Sequence, residues 1–417
     1  MDSATRYVNF ASGETISFSV SRGDQYIAAT DDALSLVGQI QENLVASSFR
    51  IFVLYDDETI NFEIPQTDIK MGGSYSENYQ NGQRRTLSFT LYNQDGRYTP
   101  GINTLMPSTR LRFEMGVELS DGRTIWFSKG VFVVNSVNIS QTSQGNEVVV
   151  SAGDKFTLFE GNAGKLNSTY EIPVGTSILE AMQSILLGDM GNGSVFDPRP
   201  ITMDTRLEKK VTQSTISKEN GDTFSSILQE LATQLGAEVF YNATGSLTVT
   251  PISEVSDDRN KPVLCTYQTD TDGFSQLGWN IAYSQVINRV IVIGTPSSGS
   301  LSQATAVNDD PASPFCYQRV GYRTGNLIRD SNITSNILAQ ERADYELRQA
   351  IVLKTTTSAN VLFNPILEVN NLIAITDDFF DMSKARFLIQ GITCPLDYSN
   401  QMSITFSNIS NLPFLAR

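Results

Sequence analysis

The 417-residue chain contains no histidine. That absence removes Ser-His-Asp and Cys-His nucleophilic arrangements, histidine-ligated zinc or iron, and imidazole acid–base chemistry near neutral pH. Cysteine is nearly as scarce. The three present, Cys265, Cys316 and Cys394, lie far apart without CxxC spacing, one short of an all-cysteine zinc site. So few thiols read as reduced cysteines in a protein made in the cytosol. The two tryptophans, Trp126 and Trp279, fall in strand-like segments and are expected in the core rather than as sugar platforms. No apolar run reaches the roughly 18 residues of a membrane span. The opening MDSATRYVNF lacks the basic-then-apolar layout of a secretion signal. Basic residues are outnumbered 30 to 45, for a net charge of −15, which disfavours adsorption to nucleic acid by counterion release. Neither a GxxxxGK[ST] loop nor a GxGxxG opening a helix occurs, and the 294–299 segment GTPSSG is a flexible loop rather than a phosphate cradle.

What is present is mostly strand. Runs rich in Val, Ile, Thr, Phe and Tyr alternate with polar residues between Gly, Asn and Asp turns. Strands are expected at 50–55, 85–92, 111–119, 124–128, 131–137 and 147–151, preceded by a helix at 32–46 with Leu34, Val37, Ile40 and Leu44 on one stripe. Short strands at this spacing suggest an antiparallel barrel. From about 165 the period changes. Ser177 and Glu180 form a capping box opening one helix; a second starts at Asp222 as N-cap, carries Phe224, Ile227, Leu228, Leu231 and Leu235, and stops at Gly236. Strands at 237–241 and 246–251 complete a small α/β insert. Strands return at 277–284 and 286–293, followed by a loop at 294–314 expected to be mobile or ordered only by a partner. A helix at 334–347, burying Ile337, Ala343 and Leu347, leads to strands at 353–357, 366–375, 385–392 and 402–406. Segments 129–151 and 384–406 share a pattern in which Phe132, Val134, Val137 and Val149 match Phe387, Ile389, Ile392 and Ile404. Each reads as strand, turn, strand, which suggests a duplicated barrel. The expected fold is thus mainly β with an α+β insert, divided into 1–164, 165–255 and 256–417.

Carboxylates are the catalytic option left. They cluster at Asp56, Asp57 and Glu58, at Asp309 and Asp310, and at Asp377, Asp378 and Asp381. Glycoside hydrolysis needs two that converge across a cleft, one with a raised pKa. Neighbours in a polar turn do not meet that need, so solvated turns are expected, and no EF-hand spacing is present for calcium. No catalytic, cofactor-binding or metal-binding residue is assigned, and no enzyme activity is expected.

The most specific stretch is 73–100, GSYSENYQNGQRRTLSFTLYNQDGRYTP. Gln83, Arg84, Arg85, Leu87, Phe89, Leu91, Asn93, Asp95, Gly96, Tyr98 and Pro100 carry a pattern that resembles the N-terminal domain of phage tail hub and tail-tip proteins. The 364–373 passage NPILEVNNLI is similar to a passage in the second barrel of that family. The resemblance implies two tail-tube-like β-barrels flanking the insert and a homotrimer forming a pseudo-hexameric ring. It further implies distal tail or tail tube ring proteins, the tape-measure protein C-terminus and a spike or tip protein as partners. DNA would pass only in transit, in a virion tail tip or baseplate made in the host cytoplasm. A β-rich binding module such as an adhesin and a two-carboxylate glycoside hydrolase are the alternatives.

Overall fold

Period-two alternation dominates the sequence, and the chain folds accordingly into a mainly β protein with few helices. The computed structural model describes residues 3–10, 15–21, 44–99, 105–106, 108–119, 124–142, 145–188, 196–252, 261–269, 274–279, 284, 286–294, 301–311, 313, 315–330, 333, 335–352, 356–380, 382–397 and 399–408. They form two compact units, one of Met1–Ile252 with Val361–Asn371 and Gly391–Ser403, the other of Ser253–Asn360, Leu372–Gln390 and Ile404–Arg417.

In the first unit, β1 (Ser3–Phe10) and β2 (Thr15–Ser21) make a hairpin, followed by β3 (Leu44–Leu54), β4 (Ile60–Glu63), β5 (Ile69–Asn78), β6 (Arg85–Tyr92), β7 (Arg110–Leu119), β8 (Thr124–Thr142) and β9 (Gly145–Asp154). These last run side by side in the antiparallel order β5-β6-β9-β8-β7-β3-β4. The pattern of β6 explains its seat: Arg85, Leu87, Phe89 and Leu91 all point into the core, the residues between them outward. Where two strands were expected at 124–128 and 131–137, β8 is continuous. It carries a bulge at Lys129 and Gly130, where the register against β7 shifts and Gly130 takes φ 136°. The expected helix at 32–46 lies outside the described residues up to 43, and Leu44 already opens β3.

The α/β part follows with β10 (Tyr170–Ile172), α1 (Ile178–Leu186), β11 (Thr202–Met203), β12 (Ile216–Lys218), α2 (Phe224–Leu235), β13 (Ala237–Tyr241) and β14 (Leu247–Pro251). Ser177 caps α1 as expected, its hydroxyl accepting from the Glu180 amide at 3.4 Å. The cap of α2 is Thr223 rather than Asp222, whose carboxylate instead accepts from the Glu219 amide at 2.9 Å and shapes the preceding turn. α2 lies on β13 and α1 packs on α2, burying Ile185, Ile227, Leu231, Val239 and Val249 in one cluster.

The second unit contains β15 (Val263–Gln268), β16 (Ser275–Trp279), β17 (Arg289–Gly294), β18 (Gln303–Val307), α3 (Tyr317–Val320), β19 (Ile328–Asp330) and α4 (Asn336–Val352). Strands β20 (Thr356–Leu362), β21 (Leu372–Asp377), β22 (Met382–Pro395) and β23 (Gln401–Asn408) close the chain. β21 pairs in parallel with β15 and antiparallel with the first part of β22. The Gly391–Pro395 end of β22 pairs with β5 in the first unit's own strand set. The loop expected at 294–314 holds β18, which zips antiparallel to β17 and covers α4. Along α4, Ala339, Ala343 and Leu347 are buried at successive i+4 steps, whereas Ile337 is 72% exposed, since it falls off that stripe. Ile366–Asn371 is turn rather than strand. Phe132 and Phe387 are both fully buried, but Val149 is half-buried between buried Val148 and Val150, one step out of phase with buried Ile404.

Candidate functional site

The strongest concentration of chemistry is a buried charge network in the first unit. Its centre follows from the β5–β6 register, which sets Glu77 directly opposite Arg85. Period two turns both toward the core with Tyr75 and Leu87. The Arg85 guanidinium donates to Glu77 Oε1 at 2.5 Å, to Tyr75 Oη at 3.3 Å and to the Tyr241 carbonyl. Burial would lower the Arg85 pKa, but the Glu77 carboxylate and Tyr75 raise it on balance. Tyr75, enclosed beside Glu77, has its own pKa pushed well up, first by burial.

Arg84 points the other way. It donates to Glu238 Oε2 at 2.8 Å and to the Gln80 carbonyl, and lies 3.9 Å over the Phe240 ring. Tyr79 donates to the other Glu238 oxygen. Adjacent residues of one strand end thus grip β5 and β13. Asp154, at the end of β9, accepts from the Arg84 and Arg85 amides at 2.8 and 2.9 Å and from Phe156 at 3.0 Å, capping a 3-10 turn at Lys155–Phe159. Burial pushes its carboxyl up to about 6 against those three donors. Next to it, Lys155 donates to Glu58 Oε1 at 2.6 Å and to Asp197 Oδ2 at 2.7 Å. Tyr241 donates to Asp197 at 2.9 Å, and Arg199 pairs with Glu58. Burial lowers the Lys155 pKa, opposed by Asp197 and Glu58.

This corrects the sequence reading of the 56–58 turn as solvated. Asp56 and Asp57 are exposed, Asp57 with its pKa lowered by the Thr59 hydroxyl, but Glu58 sits at φ 64° with its carboxylate buried on Lys155. Asp377 is likewise buried, accepting from Thr269 Oγ1 at 2.5 Å and from the Phe380 amide at 2.8 Å; Asp378 is exposed and Asp381 lies outside the described residues. Asp309 is exposed and Asp310 half-buried. Trp126 is half-buried beneath the Arg50 guanidinium, 4.2 Å from its ring. The three cysteines are buried and none is in a disulfide.

The 93–99 part of the motif is a knot of local contacts. Asn93 accepts from the Tyr98 amide at 2.9 Å and donates to Thr99, Gly96 takes φ 75°, Asp95 pairs with Arg97, and Tyr98 donates to Asp68 at 2.5 Å. Pro100 lies outside the described residues. Among the described residues, no group of three or more His, Cys, Asp or Glu side chains is placed to hold a metal ion. The buried carboxylates named here are each held by cations, hydroxyls or amides within the protein, an arrangement that locks backbone segments together.

No family model and no curated protein matches this sequence. Solved structures do. The chain is similar to the prophage MuSo2 43 kDa tail protein from Shewanella oneidensis, at TM-score 0.54 and 15% identity over 87% of this chain and 99% of that one. It is also similar to a tail protein from Neisseria meningitidis MC58, at TM-score 0.60 and 12% identity over 88% and 99%. A chain of the Francisella PdpA-VgrG complex matches at TM-score 0.52 and 11% identity over 92% of this chain and 56% of that one. The fold is that of phage tail proteins, as the 73–100 motif suggested.

Proposed function

We propose that this protein is a structural hub of a phage tail tip or baseplate and has no enzymatic role. The observation that carries the reading is that the similarity to tail proteins is co-extensive, taking in 87–88% of this chain and 99% of theirs. In this reading, 1–164 and 256–417 are tube-like barrel modules flanking the 165–255 insert, and the β8–β9 and β22–β23 pairs are their equivalent strands. Three copies form a pseudo-hexameric ring that joins a tail tube or distal tail ring to a spike, with the tape-measure C-terminus also bound. The acidic balance of −15 suits a conduit through which DNA passes without adsorbing. Light scattering after gel filtration tests this: the expected mass is three times the 45.9 kDa chain, with a ring in electron micrographs. A chain that stays single at high concentration sinks the proposal.

A further inference from the structure

The second unit carries two exposed features of opposite character. One is a basic, aromatic surface. Between 311 and 329 there are three arginines, Arg319, Arg323 and Arg329, and no carboxylate, in a protein of net charge −15, with exposed Asp309 and half-buried Asp310 and Asp330 bordering the segment. Tyr317 and Tyr322 stack there with centroids 4.9 Å apart and planes 2° from parallel, and Arg289 lies 5.1 Å over the Tyr322 ring. Tyr322 is 58% exposed, and Arg319, Arg323 and Arg329 are exposed as well.

This surface is built rather than draped. Asn288, fully buried, donates to the carbonyls of Phe315 and Gly321 at 3.1 and 2.8 Å and accepts from the Arg323 amide at 2.7 Å. Gly321, at φ 69°, makes the turn between the two tyrosines. Asn308 extends the frame, its carbonyl accepting from the Tyr317 amide at 3.0 Å and its side chain donating to Ser313 at 2.9 Å. A patch held this firmly loses little entropy on docking.

The other feature is the turn joining β21 and β22. Phe379 is 89% exposed and Phe380 39%, packed edge to face at 5.0 Å beside exposed Asp378. Two exposed phenylalanines at a turn are costly in water, and Asp377 fixes the turn by accepting from the Phe380 amide and from Thr269. Lys384 is on the returning strand, beyond the tip.

We infer that the Asp378–Phe380 tip of one copy docks on the Arg289, Tyr317, Tyr322 and Arg323 surface of a second copy. The chemistries match: phenyl rings on a tyrosine and guanidinium platform, a carboxylate on arginines. Two different patches on one chain make a heterologous contact, which propagates head to tail and closes into a ring when the rotation allows. The inference rests on the ring proposed above and supplies the contact that would hold it.

The test uses two full-length variants, Asp378→Arg with Phe379→Ser, and Arg323→Glu with Tyr322→Ala, each first checked for an unchanged circular dichroism melt. Phe379→Ala replaces the first if it melts early. Sedimentation velocity is expected to show wild-type rings, self-association weakened at least about tenfold in each variant alone, and one-to-one dimers when the two are mixed, because the mixture retains one intact contact. Rings from both variants that match the wild type overturn this contact and leave the ring standing. A wild type that never associates overturns both. Loss of short single-stranded DNA binding by the arginine variant, with assembly unchanged, overturns the contact in favour of a nucleic acid.

Discussion

Arg85 and Glu77 illustrate how a buried pair differs from a surface one. Neither side chain is more than 2% exposed, so each charge depends on the other for solvation. Removing one strands its partner, at a cost of about 3–5 kcal/mol, whereas replacing both with apolar residues can be nearly neutral. Arg85→Met is therefore expected to lower the urea unfolding midpoint sharply, and Arg85→Met with Glu77→Leu to recover most of the loss. Asp154 makes a second prediction. Its folded carboxyl titrates near 6 against an ordinary 3.8, so from about pH 4 to 6 the fold keeps a proton that the unfolded chain has released. Stability from this group then falls as pH rises through that window and is flat above it. Unfolding midpoints of wild type and Asp154→Asn across pH 4 to 8 check the sign, since the variant should lack that slope. The sequence held half of this site in view. Arg85 is in phase with Leu87, Phe89 and Leu91, so its burial was legible in the alternation. Its partner was not, because a register irregularity between Lys70 and Ser74 lies in β5. Glu58 looked like any turn carboxylate, and nothing local announces a lysine 97 positions later.

At the scale of elements, the locally encoded ones were read best. β6 matches its expected bounds, and α1 and α2 lie where capping and stripe placed them, with the second cap shifted by one residue because Thr223, not Asp222, reaches the Ser226 amide. The described part of the expected 294–314 loop, residues 301–311 and 313, takes its order from elsewhere in the chain, and 295–300, 312 and 314 lie outside the described residues. β18 needs β17 beside it, and the residues after it hang on Asn288 and Asn308. Asn288→Ala removes three side-chain hydrogen bonds and leaves the buried Phe315 carbonyl bare, for an expected loss of about 1–3 kcal/mol. The sharper readout is hydrogen exchange, which should quicken at the Arg323 amide while α2 is unaffected.

The whole molecule is two units threaded by one chain that passes between them within β20, β22 and β23. Losing either unit strips strand residues from the other, so their unfolding is expected to be coupled. Nature has supplied one tryptophan to each, Trp126 and Trp279. Urea titrations of Trp126→Phe and Trp279→Phe, each leaving a single fluorescent reporter, should give coincident midpoints, and separated ones would show that the units melt independently. The buried thiols carry a practical corollary. Cys265, Cys316 and Cys394 are each at most 4% exposed, and burial pushes the Cys394 thiol up to about 12, so maleimides should find the native exterior inert. A dye at Ser383→Cys, exposed on the returning strand and outside the proposed contact, would then be the sole label on the chain, and its quenching on mixing with unlabelled protein would time the encounter of two copies without first engineering a cysteine-free background.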